Sequence, residues 1–299
     1  MNFADRLSDR ISMFETCLCA GLDPRPDLMP SFFLAEADQK TNSSEDFIYK
    51  LLTDFYISSL EIIEKQIACV KPNSAFFEQF GIGGLKALQS ILSWCQKNNL
   101  PSILDAKRGD IGSTAEAYSR AVLGKTNFLN KSFSGFNADA MTINPFLGFD
   151  TIEPFLQDCI EYEKGVFILV KTSNPGSHAL QESSSEKIAR WIGKNSEKLQ
   201  GNSGLSGLGA VVGATYPDEA KELRKLMPNS YFLIPGFGAQ GGKAEDTLAG
   251  FTDRAKGAIV NASRGIFSNP EFIELNREDF LNNISKTVDE INSSFRSLF

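Results

Sequence analysis

Histidine is almost absent from this chain: of 299 residues only His178 carries an imidazole. Ser-His-Asp and Cys-His centres, and most catalytic zinc sites, need that side chain. His178 lies in Asn174-Pro-Gly-Ser-His178 with no nucleophile motif beside it, and reads as a loop or rim residue. Cysteine is sparse and scattered. Cys17, Cys19, Cys69, Cys95 and Cys159 form no C-x-x-C pair, the pattern of reduced thiols in a cytoplasmic compartment. No run of about 18 apolar residues occurs, so no membrane span is expected. MNFADRLSDRISMFE mixes acids with bases and lacks an apolar core, so no secretory signal is expected either. A basic excess is missing too: 37 acids against 30 bases leave a net charge of −7. That disfavours non-specific nucleic-acid binding.

What is present is the composition of a folded globular chain, 42% hydrophobic and 22% charged. Its length allows one large domain or two small ones at about 100–200 residues each. Eight short apolar runs recur: Cys17–Asp23, Ile67–Pro72, Ser102–Lys107, Ala140–Asn144, Val166–Lys171, Gly209–Gly213, Tyr231–Pro235 and Gly257–Asn261. Helical signals separate them, at Ser44–Lys65, Gly84–Lys97, Thr114–Leu123 and Pro217–Leu226. Continuous hydrophobic strands alternating with helices imply a parallel sheet covered on its faces. Eight units predict a single-domain α/β fold, a (β/α)8 TIM barrel over residues 1–299, with a doubly wound sheet as the alternative. An N-terminal helix precedes it, and extended βα connections fall near 30–46 and 174–207. Glu36–Asp46 reads as a loop leading into a helix. Gln181–Ser206 reads as a lid or a surface insertion with a helix near Ser185–Lys198, and Asp279–Phe299 as a terminal helix. Cys17 and Cys19 would share a strand face, and Phe133 and Phe136 would be core or interface aromatics.

In a barrel the active site lies at the C-terminal ends of the strands. Six of these ends are polar: Asp23, Lys71, Asp105-Ala-Lys107 with Asp110 beyond, Lys171-Thr-Ser-Asn174, Pro235-Gly-Phe-Gly-Ala-Gln-Gly-Gly242 and Asn261-Ala-Ser-Arg264. Asp105 and Lys107, two apart, share a strand face. Desolvation alone would strip a buried lysine of its proton, and flanking carboxylates oppose this. The pair is therefore either a proton-donating centre or a plain ion-pair network. Gly236-Phe-Gly-Ala-Gln-Gly241 matches G-x-G-x-x-G, but follows the seventh strand rather than the first. That placement favours a phosphate monoester over a dinucleotide, with Arg264 supplying charge.

Five stretches carry a resemblance: Leu104-Asp-Ala-Lys-Arg-Gly-Asp-Ile-Gly-Ser-Thr114, Val70-Lys-Pro-Asn-Ser-Ala-Phe-Phe-Glu78, Thr142-Ile-Asn-Pro-Phe-Leu-Gly148, Val170-Lys-Thr-Ser-Asn-Pro-Gly176 and Pro235–Gly242. In this order, and from about Gly21 to Arg264, the chain resembles the orotidine 5′-phosphate decarboxylase family, in particular its longer bacterial subgroup. The resemblance implies a dimeric barrel that converts orotidine 5′-phosphate to UMP, the last step of de novo UMP synthesis, with no cofactor and no metal. It implies Lys107 as proton donor to C6, Asp105 facing the substrate carboxylate, and Lys71 paired with Asp105 and reaching the ribose. Asp110 would complete the array and, with Thr114, be lent across the dimer interface. Asp23 would bind the ribose and Ser173 the pyrimidine. Pro235, Gln240 and Arg264 would bind substrate, with Gly238, Gly241 and Gly242 forming the phosphate loop. Neither nucleic acid nor membrane is an implied partner. The competing readings are a Mg2+-dependent sugar-phosphate lyase or synthase on the same barrel, a Schiff-base aldolase using Lys71, Lys107 or Lys171, and a non-catalytic nucleotide-binding barrel.

Overall fold

The computed structural model describes residues 1–237, 243–252 and 255–299. Eight parallel strands make one barrel: β1 (Leu18–Leu22), β2 (Cys69–Pro72), β3 (Ile103–Arg108), β4 (Ala140–Ile143), β5 (Gly165–Lys171), β6 (Ser206–Val212), β7 (Ser230–Ile234) and β8 (Ala258–Ala262). The ladder runs β2-β1-β8-β7-β6-β5-β4-β3. Parallel bridges from Val70 to Ser102 and from Asn73 to Asp105 close it between β2 and β3. The eight apolar runs are these eight strands, shifted at their ends by a few residues at most, because a strand buried on both faces has no polar side to blur its signal.

Two apolar clusters hold the molecule. The larger lies between the strands and the outer helices. The smaller fills the barrel, where Cys19, Cys69, Ile103, Phe167, Tyr231 and Ile259 meet Phe3, Leu7 and Ile11 of the N-terminal helix Phe3–Phe14. That helix stoppers the lower end: Phe3 sets its ring edge-on to Phe167, 6.0 Å between centroids, and the Ser8 and Tyr231 hydroxyls lie 2.6 Å apart. The upper end is left for the polar strand termini.

The helix expected from Ser44 runs Ser44–Ile63, capped by the Ser43 hydroxyl, which accepts the Asp46 N–H. Helix Pro217–Leu226 has the expected bounds. The terminal helix runs Arg277–Arg296, with Phe280, Ile284, Val288 and Phe295 buried.

Four expectations need correction. The first half of Glu36–Asp46 is not a loop, since helix Ser31–Lys40 covers it; the loop is confined to 41–43, before the expected helix at Ser44. Phe33 and Ala37 of that helix are buried, a tertiary stabilisation that its polar second half conceals. The 185–198 helix is α-helical only to Asn195 and ends in a 3-10 turn. Cys17 precedes β1 and packs in the outer cluster, while Cys19 faces the barrel interior, so they share no face. Phe133 is not a core aromatic of the single chain, where it is exposed on an antiparallel hairpin (Lys125–Phe128 with Lys131–Ser134) that turns at the left-handed residues Leu129 and Asn130. Short and polar, that hairpin carries no buried face to announce it. Phe136 does pack against the core.

Candidate active site

A cavity of about 470 Å3 opens at the C-terminal ends of the strands. Asp23, Lys71, Asp105, Lys107, Ser173 and Pro235, all expected, line it. At its floor the Asp105 carboxylate accepts from three donors: Lys71 Nζ at 2.8 Å on one oxygen, and Lys107 Nζ at 2.6 Å and Thr142 Oγ1 at 2.9 Å on the other. Burial alone would raise this carboxyl, but the Lys71 ammonium and then Lys107 outweigh it and hold it far below the usual carboxylate range. Burial likewise opposes the Lys71 charge; Asp105 first, then Asp23, reverse that and leave Lys71 above its ordinary value.

Lys107 reaches Asp105 through a break in the strand. Its backbone is left-handed, with φ of +47°, and the β3–β4 register shifts between Leu104 and Arg108. A non-glycine residue there costs on the order of 1–2 kcal/mol. The bond from Lys107 N–H to Thr142 Oγ1, 3.0 Å, fixes the kink. Thr142 thus holds both the backbone of Lys107 and the carboxylate that Lys107 meets. The result is a half-exposed ammonium on a buried anion: 48% exposure at the Lys107 side chain, 9% at Asp105.

Asp110 is not part of this array within one chain. Beyond the turn at Gly109 its carboxylate accepts the Ile111 N–H at 2.8 Å, and it forms no ion pair among the described residues. Thr114 is exposed on helix Gly112–Val122 and lines no part of the cavity. Asp23 contributes a buried carboxylate oxygen, Oδ1, with no hydrogen-bond partner among the described residues. A buried acceptor left unmet in a cavity wall is a place for a ligand hydroxyl.

Toward β7 and β8 the wall is Pro235, Gly236 and Asn261. Gly236 takes φ of +98°, a conformation that side chains resist. At Gly21 a Cβ would stand 2.9 Å from Asn261 Oδ1, so the missing side chain lets Asn261 approach. Arg264 opens the short helix Arg264–Phe267 just after β8, exposed and outside the described cavity wall. Gly238, Gln240, Gly241 and Gly242 lie outside the described residues.

Lys171 is no cavity residue. It is buried, paired with Glu219 at 2.7 Å, and sits 4.8 Å from the Tyr216 ring centre. His178 is exposed on the rim, edge-on to the same tyrosine at 5.1 Å. Polar wall residues not singled out from the sequence are Asn73, Thr142, Thr172, Asn174, Gln181 and Asn261. Four of them lie inside the resembling stretches, where Asn73 and Thr172 stand two and one positions after Lys71 and Lys171.

The family model described as "Orotidine 5'-phosphate decarboxylase / HUMPS family" matches residues 17–274. The chain belongs to this family. A protein named orotidine 5′-phosphate decarboxylase from Caldicellulosiruptor bescii is 40% identical over 276 residues, 89% of each chain. One of the same name from Rhodopirellula baltica is 40% identical over 272 residues, 89% of this chain and 88% of its own. The solved structure of Leishmania donovani OMP decarboxylase superposes with a TM-score of 0.67 at 28% identity, covering 98% of this chain and all of its own. The family match spans β1 to β8 and so contains every wall residue of the cavity.

Proposed function

We propose that the chain decarboxylates orotidine 5′-phosphate to UMP without cofactor or metal. The observation that carries this is the Lys71–Asp105–Lys107 array: a buried carboxylate that stays anionic, with an ammonium on either side. Loss of CO2 breaks the C6–carboxyl bond and leaves its electron pair on C6. A fixed ammonium beside that carbon stabilises the charge without reorganising. Lys107 then gives its proton to C6, and its exposed side chain takes another from solvent. Asp105, held anionic, faces the substrate carboxylate, and their repulsion is relieved as CO2 leaves. Lys71 neutralises Asp105 and reaches the ribose, which Asp23 also binds through its unmet oxygen. Ser173 meets the pyrimidine. Pro235, Gln240, Arg264 and the glycines at 238, 241 and 242 hold the phosphate, whose binding energy can close the site over the charges.

The active unit in this reading is a homodimer with Asp110 and Thr114 lent to the partner's site. Its support is the apolar surface around them: Ile111, Phe146 and Leu147 are 62%, 77% and 51% exposed, and Gly109 and Asn144 bring their two loops together. Residues 1–299 act as one barrel domain, with 174–207 as its lid. Five buried free thiols suit a cytoplasmic setting. Among the described residues no helix is long and apolar enough to cross a membrane.

The test is the loss of orotidine 5′-phosphate absorbance on adding purified protein, with EDTA present throughout. Turnover to UMP supports substrate, reaction and metal independence together. Folded dimer without turnover would overturn the reading in favour of a sugar-phosphate enzyme, tested next with Mg2+ and pentulose phosphates. Binding of UMP without turnover under any condition would favour a non-catalytic barrel.

A further inference from the structure

The segment after β5 carries a chain of hydrogen bonds whose polarity is set by one backbone group. The Thr172 N–H donates to Gln181 Oε1 at 2.8 Å. A backbone N–H can only donate, so the Gln181 amide must turn its oxygen there and its nitrogen elsewhere. Gln181 Nε2 accordingly donates to Thr172 Oγ1 at 2.9 Å. The single Thr172 hydroxyl proton then has two acceptors in reach: Asn174 Oδ1 at 2.6 Å, and Gln181 Oε1 at 3.3 Å, which is already engaged. The shorter bond goes to Asn174. That fixes the Asn174 amide in turn, with Oδ1 toward Thr172 and its NH2 pole turned away from Thr172, on a wall that Thr172, Asn174 and Gln181 all line.

We propose that Gln181 is a positioning residue for base recognition: through Thr172 it sets Asn174 to offer an N–H donor to a carbonyl of the pyrimidine. This rests on the decarboxylase reading. With C6 at Lys107 on β3 and the phosphate toward β7 and β8, the ring edge across from N1 and C6 turns to the segment after β5. That edge carries O4, an acceptor in a uracil ring and replaced by an amino donor in a cytosine ring. Gln181 touches neither base nor reacting atoms; it decides which pole of Asn174 meets the base.

Gln181→Glu tests this with almost no change in size. A carboxylate still accepts the Thr172 N–H but now also accepts the Thr172 hydroxyl. Thr172 Oγ1 must then accept from Asn174, which reverses its amide and presents oxygen to the cavity. The added negative charge weakens UMP and CMP alike, so the readout is the ratio of their dissociation constants by calorimetry. We expect wild-type protein to prefer UMP, and Gln181→Glu to lower the CMP-to-UMP ratio of Kd at least about tenfold, the scale of one mismatched hydrogen bond. Thr172→Val, which breaks the relay without adding charge, should lower it less. A ratio unchanged in Gln181→Glu, with both ligands weakened equally, would overturn the proposal and leave Gln181 a packing residue of the lid. Wild-type protein that turns over orotidine 5′-phosphate while the ratio stays fixed refutes this inference alone. Wild-type protein that neither binds UMP nor turns over substrate refutes the underlying reading with it.

Discussion

Replacing Asp105 with Asn should destabilise the protein, and the deficit should shrink as pH rises. The two lysines on Asp105 are not equivalent. Lys107 is half in water, so its pairing contributes no more than about 1 kcal/mol to stability. Lys71 is 6% exposed and loses its one ion pair within 4.0 Å among the described residues. Removing one partner of a buried pair costs about 3–5 kcal/mol, because the other charge stays desolvated. For a chain of this size that is a fall in Tm on the order of 10 °C. In the wild type, Asp105 lies below its ordinary value, so its contribution is present above about pH 4 and is lost only in stronger acid. Lys71 lies above its ordinary value, so its contribution holds below about pH 10.4 and is lost above it. Between pH 6 and 9 this network therefore adds no slope to wild-type stability. In Asp105→Asn, burial acts on Lys71 with Asp23 and, last, Cys19 opposing it, and its folded value is expected to drop below the unfolded one. The variant then sheds a proton on folding, and its stability climbs with pH in the window between the two values. Urea denaturation of both proteins at pH 7 and pH 9.5 measures this. A deficit under about 1 kcal/mol at pH 7, or one equal at both pH values, would refute the argument.

Lys107→Ala should keep UMP affinity within a few-fold while decarboxylation falls by at least about 10³-fold, measured by calorimetry and by absorbance; normal turnover would remove Lys107 from its assigned role. Arg224 donates to the carbonyls of Gly250, Met227, Ser230 and Gly257 and lies over Phe232, 3.6 Å from its ring centre, so Arg224→Met should cost about 3–5 kcal/mol in urea denaturation by orphaning buried acceptors. Arg224→Lys should restore only part, since three protons on one nitrogen cannot span four carbonyls. Ile111→Asp should shift sedimentation from dimer toward monomer and lower turnover with it; a dimeric, active variant would place the interface elsewhere.

The alternation of apolar strands and amphipathic helices determined a covered parallel sheet, because burial on both faces forces a continuous hydrophobic run, and its eight units pointed to a barrel over a doubly wound sheet. The same patterning put Asp23, Lys71, Asp105 and Lys107 at strand ends, where a barrel gathers its chemistry. Sequence could not decide what each end does in three dimensions. The left-handed kink at Lys107, its brace by Thr142 from the neighbouring strand, and the exclusion of Asp110 from the array within one chain are set by register between strands. Register depends on packing between residues far apart in sequence. Helix Ser31–Lys40 escaped notice because its stabilisation comes from two buried side chains rather than from a periodic face. Lys171 is the plainest case: from sequence it is one more lysine at a strand end, and only the positions of Glu219 and Tyr216 turn it away from the cavity. Local patterning is a property of one segment, but which polar group meets which is a property of two or more segments, and tertiary packing alone supplies it.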